Sequence, residues 1–145
     1  MKIEFVNYLN EIGITTEVLI NKIEEIYETF CRICSEDFID IFVEDIMNQD
    51  NMREFIGISF FSDNYVASMS NFLVKESIII TSFNKKIDFV IIDKKNFNLD
   101  TAAETSRMSV EAQFSDGNWG GKATGKNCEY LNKIVGKYFI PNIAI

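Results

Sequence analysis

The sequence predicts an α+β fold: acidic N-terminal helices, then six or seven antiparallel strands, then one closing helix. Three observations carry that expectation. Apolar residues recur at helical spacing up to about residue 48 and in alternation from about residue 54. Residues 106–141 read as strand, turn, strand and helix, ending at the single proline. Helices and strands also keep to separate blocks, which argues against the βαβ alternation of a parallel sheet.

Taken in order, Ile3, Val6, Leu9 and Ile12 fit one helix face, and Gly13 is a natural stop beyond its end. Thr15 or Thr16 can cap a second helix with the stripe Leu19, Ile23, Ile26, Phe30 and Ile33, widened by Ile20, Tyr27 and Cys34. Ser35, followed by Glu36 and Asp37, reads as a fresh cap. Phe38, Ile39, Phe42, Val43 and Ile46 then continue a helical face to about Asn48, as one kinked helix or as two. Strands are expected at 55–61 and 65–70 around Ser62-Asp63-Asn64. A second strand pair is expected at 77–83 and 87–92 around Asn84-Lys85-Lys86, with a short strand at 97–99. Residues 107–114 alternate strictly, with Met108, Val110, Ala112 and Phe114 on one face. Ser115-Asp116-Gly117-Asn118 supplies the turn, 119–124 returns, and Asn127 can cap a helix striped by Cys128, Leu131, Ile134, Val135 and Tyr138.

Composition limits the functions open to the chain. At 145 residues and 47% hydrophobic content it is one ordinary domain with a real core, and thirteen phenylalanines promise a core of rings. The net charge of −8 is uneven: residues 1–50 hold 12 acidic and 3 basic residues, a balance of −9, and the remainder balances to +1. So acidic a helical half repels phosphate backbones, which speaks against nucleic-acid binding. No apolar run is long enough to span a bilayer, residues 1–13 do not read as a secretory signal, and an odd three cysteines suggest reduced thiols in a cytoplasm.

The two strand groups followed by a C-terminal helix resemble the pleckstrin-homology-like (PH-like) barrel in its small bacterial form, over roughly residues 54–141. The hairpin at 113–124 running into the helix at 127–139 is the clearest part of that likeness. The resemblance implies a partly closed antiparallel barrel over 54–145, with residues 1–50 as an acidic helical extension. One departure is visible: many eukaryotic members carry a tryptophan in the closing helix, where this chain has Tyr130 and Tyr138, with Trp119 on the preceding strand.

Candidate sites are few. With no histidine, the usual nucleophile systems and zinc-hydrolase ligands are excluded. Cys31-Arg32-Ile33-Cys34 has the spelling of a redox motif but falls deep in a helix, and only Cys128 is left to join it around a metal. Gly120-Gly121-Lys122 and Gly125-Lys126 lack the hydroxyl residue of a phosphate loop, so those glycines suit a twisted hairpin packed beside Trp119. The pairs Glu24/Glu28 and Asp40/Glu44 have the i, i+4 spacing of a solvated helix face. Lys85, Lys86, Lys94 and Lys95 form the one basic cluster, a candidate edge for anionic lipid or phosphate. Lipid-binding relatives of the PH-like barrel use basic residues at the first hairpin loop. Here that loop is Ser62-Asp63-Asn64 and carries no positive charge, so membrane recognition is the weaker reading.

The reading that results is a non-enzymatic cytoplasmic binding or interaction module, with no cofactor, no metal and another protein as its partner. A monomer is favoured, because two copies of so acidic a segment repel. The alternatives are a thiol redox protein using Cys31 and Cys34, and a lipid- or phosphate-binding domain using the lysine edge.

Overall fold

The computed structural model describes residues 1–72, 77–82, 87–95, 105–115 and 117–142. In chain order these form α1 (Ile3–Glu11), α2 (Glu17–Cys34), β1 (Asp40–Met47), β2 (Arg53–Phe61), β3 (Tyr65–Ser70), β4 (Ser77–Ser82), β5 (Ile87–Lys95), β6 (Arg107–Phe114), β7 (Gly117–Thr124) and α3 (Asn127–Ile134). The expected strand at 97–99 lies outside the described residues.

Helix α1 ends as its glycine foretells. Gly13 sits at φ +97°, its N–H donates to Asn10, and the Ile14 N–H donates to Leu9 at 2.8 Å, with Leu9 and Ile14 both buried. These are the paired bonds and apolar contact of a Schellman stop. The face turned inward is Phe5, Tyr8, Leu9 and Ile12; Ile3, expected on it, is 67% exposed. Helix α2 buries Ile23, Ile26 and Phe30 but leaves Ile33 54% exposed, and Thr16 precedes it without any side-chain cap bond.

The expected helix at 36–48 is corrected. Ser35 adopts φ +50° and closes α2 instead of opening a new helix, and the chain then runs straight into β1. The misreading has a physical cause. Ile41 and Val43 point toward α1 and α2 while Phe42 points into a second core, so β1 is covered on both faces. A strand buried on both faces shows no period-two alternation, and the four-residue spacing of Phe38, Phe42 and Ile46 then imitates a helix face. β1 pairs with β2 along its length, so the turn at 48–52 lies where the boundary between 1–50 and 54–145 was expected.

Ladder bonds order the strands as β1-β2-β3-β4 and β5-β6-β7, all antiparallel. The expected pair of 77–83 with 87–92 is therefore corrected: β4 pairs with β3, and β5 pairs with β6. The expected PH-like barrel is corrected as well. Neither sheet closes on itself, and among the described residues no backbone ladder joins one to the other.

Two cores result. In the first, α1 and α2 cover one face of β1–β3, and the Phe60 ring meets Phe5, Tyr27, Phe30 and Phe38 at centroid distances of 5.5 to 6.2 Å. In the second, β1–β3 and β6–β7 enclose Phe42, Phe61, Val110, Phe114 and Trp119, and α3 closes it with Cys128, Leu131, Ile134, Val135 and Tyr138. That stripe on α3 is buried at every expected position. Past Ile134 the helix widens into a π turn over Val135–Phe139, then tightens over Ile140–Asn142. Pro141 in that last turn has no N–H to continue an α-helix. No helix among the described residues is long and apolar enough to cross a membrane.

Candidate functional site

β1 and β7 are edge strands of different sheets that run side by side. An edge strand leaves backbone groups unpaired, and burying them unpaired is costly. Here side chains take the place of the missing ladder. The Val43 N–H donates to the Tyr8 hydroxyl at 2.9 Å, and the Asn127 amide donates to the Val43 carbonyl at 2.8 Å. Tyr8 in turn donates to Asn127 Oδ1 at 2.8 Å. Asp45, fully buried, accepts from the Thr124 N–H at 3.1 Å, from Asn127 at 2.8 Å, from Arg53 Nε at 2.5 Å and from the Thr124 hydroxyl. Arg53 also donates to the Ile12 carbonyl.

One carboxylate thus ties β1, β2, β7 and α3 together, and Tyr8 joins α1 to it through Asn127. Asn127 is not the helix cap the sequence suggested: it lies inside α3, makes no cap bond, and spends its amide on this network. Sequence reading missed Asp45, Asn127, Tyr8 and Thr124 as a group. The available signal was an aspartate inside the apolar run 38–47, where a buried charge requires partners.

Above the network the seam opens into a trough of three adjoining parts. Asp45, Met47, Lys95, Arg107, Met108 and Lys122 are among the residues lining the first, of about 300 Å³. The second, about 370 Å³, lies against Glu44, Ile91, Glu111 and Lys122, and the third, about 160 Å³, against Glu44, Gly57, Ser59 and Trp119. Glycines shape it. A Cβ on Gly57 would meet Glu44 Oε1 at 3.0 Å, and one on Gly121 would lie 2.4 Å from the Trp119 ring. The packing role expected of this glycine run holds at Gly121. Trp119 Nε1 donates to Ser59 Oγ at 3.0 Å, tying β7 to β2.

Burial pushes the Glu44 carboxyl up to about 7, with Asp45 adding to the rise and the Lys122 amide and charge opposing it. Between about 4.5 and about 7 the folded chain holds a proton that the unfolded chain has released. Stability from this group is therefore full below about 4.5 and declines as pH rises to about 7. Glu44→Gln is expected to flatten that slope and to gain about 1–3 kcal/mol above neutrality. Urea midpoints of both proteins across the window check it; parallel profiles would show that Glu44 titrates normally.

The sequence-flagged residues separate. Lys85 and Lys86 lie outside the described residues. Lys94 and Lys95 point to opposite faces of β5: Lys94 donates to Asn132 Oδ1 on α3 at 3.0 Å, and Lys95 joins Arg107 and Lys122 at the first part of the trough. Cys31 and Cys34 are half-buried free thiols in the last turn of α2, at the negative end of its dipole. Burial, with Glu36 and Cys31, pushes the Cys34 thiol up, the opposite of what an attacking thiolate needs. Cys128 is buried on α3, and burial pushes it up to about 11. Asp40 pairs with Lys137 at 2.6 Å and Glu24 with the Met1 amine at 2.9 Å, whereas Glu28 is exposed. Among the described residues no three carboxylates or thiols are placed to hold a metal ion.

Set against protein-family models, curated proteins and solved structures, the chain matches none. The resemblance to the PH-like family is accordingly withdrawn, together with the partly closed barrel drawn from it.

Proposed function

We propose that the protein is a non-enzymatic interaction module that adds an extended segment of a partner polypeptide to the outer edge of β5. One observation carries this reading. Among the described residues β5 is a nine-residue edge strand, and its Phe89 and Ile91 side chains are 47% and 49% exposed. A long apolar edge is a template for strand addition, and soluble chains normally blunt such edges.

The outward face of β5 also states what would fit it. It runs from Phe89 and Ile91 through Asp93 to Lys95, which lies opposite Arg107 on β6. Cross-strand pairing then favours a partner with apolar residues opposite Phe89 and Ile91, a basic one opposite Asp93 and an acidic one opposite Lys95.

Selection from a random-peptide display library against the full chain tests the proposal. The expected result is enrichment of that alternating pattern, with binding lost in Ile91→Lys, an exposed position where folding should survive. Lack of enrichment, or peptides that bind Ile91→Lys equally well, would overturn it. So would a dimer of the protein alone that Ile91→Lys dissociates, because the edge would then be serving a second copy.

A further inference from the structure

The first part of the trough has a charge opposite to that of the whole molecule. The chain carries −8, yet Lys95, Arg107 and Lys122 converge on one cavity of about 300 Å³. Register places them: Lys95 lies directly opposite Arg107, and Lys122 opposite Ser109, two residues along the same face. Like charges set across a strand pair repel, so packing alone gives no reason for this arrangement.

Two carboxylates also line the cavity. The oxygens of Asp45 are already taken by Arg53, Thr124 and Asn127, which leaves Asp93 facing Lys95 and Lys122. Glu44 stands near Lys122 but is held partly protonated at neutral pH by burial. Among the described residues neither Lys95 nor Lys122 forms an ion pair. The walls are of another kind: Ile46 and Met47 are apolar and half-buried, and the buried Met108 and Ala123 lie behind them. A few convergent charges over apolar walls, at this volume, is the usual make-up of a small-ligand site.

We infer that this cavity binds a small organic anion, its carboxylate or phosphate held by Lys95, Arg107 and Lys122 and its apolar body against Ile46 and Met47. The site shares Lys95 and Asp93 with the strand-addition face of β5 but is built mainly at the β1–β7 seam, with Arg107 on β6 and Lys122 on β7.

Calorimetric titration with octanoate, phenyl phosphate and inorganic phosphate tests it. The expected result is saturable binding of at least one organic probe, at least tenfold tighter than inorganic phosphate and weaker at higher salt. Lys122→Ala, at an exposed position that leaves the fold intact, should weaken that binding about tenfold, and Lys95→Ala should do so independently. Absence of binding by both organic probes, or binding that both variants keep unchanged, would overturn the inference. Sedimentation with phosphatidylglycerol vesicles but no binding of the soluble probes would overturn it too, since the same headgroup chemistry would then come from a lipid. Phe89→Lys, at an exposed β5 position outside the lining of the trough, should leave probe binding unchanged while removing peptide binding, which separates failure here from failure of the β5 proposal.

Discussion

Asp45→Ala is expected to leave the chain unfolded, or so weakened that it melts near ambient temperature. The substitution removes the shared acceptor of Arg53, Asn127 and both the N–H and the hydroxyl of Thr124. Breaking a buried ion pair from one side costs about 3–5 kcal/mol. A buried N–H left without a partner adds about 1–3 kcal/mol. Together these approach the roughly 5–15 kcal/mol that holds an ordinary domain. Asp45→Asn keeps the shape but turns a donor toward donors, so it should fall between the two. Urea unfolding followed by circular dichroism decides the matter: an alanine variant within about 1 kcal/mol of the parent would show that the network carries little of the fold.

Leu131→Asp should unfold the chain from the other side. Leu131 is fully buried in the second core, between Cys128 and Ile134 on the inner stripe of α3. Truncating such a leucine costs about 2–5 kcal/mol. A carboxylate there has in addition to stay unpaired or take up a proton. The control is Lys133→Asp on the wet face, whose ammonium only sits over the Tyr130 ring at 5.4 Å; it should cost less than about 1 kcal/mol. Thermal midpoints of the pair give the answer, and equal values would mean that α3 does not hold the second core shut.

What the sequence could disclose follows from how locally each feature is encoded. β3 and β6 were placed to the residue: Ser62-Asp63-Asn64 marks the start of one, and strict alternation against a wet face marks the other. The stop of α1 was readable because Gly13 alone can take its backbone angle cheaply. β1 was not, since two covered faces erase the alternation that identifies a strand. The union of Lys95, Arg107 and Lys122 was hidden for a different reason: each lies on its own strand, and only register brings them together. The absence of a closed barrel was hidden too. Whether β1 and β7 zip together depends on side chains such as Asn127 and Asp45 occupying the place of the ladder, and Asn127 reads locally as a cap.

Tyr8 and Asn127, which share a hydrogen bond, are 119 residues apart in the chain. During synthesis, then, α1, α2 and the first sheet leave the ribosome well before the strand and helix that cover their second face. Until Asn127 emerges, Phe42, Phe61 and Val66 lack the partners that bury them. The nascent chain therefore passes through an interval in which Phe42, Phe61 and Val66 meet solvent, and contacts of such long separation form slowly even once the chain is free. Yield in cells is thus tied to whatever shields that face in the interval, and substitutions that slow the closing of α3 should show themselves as aggregation before they show as a lower melting point.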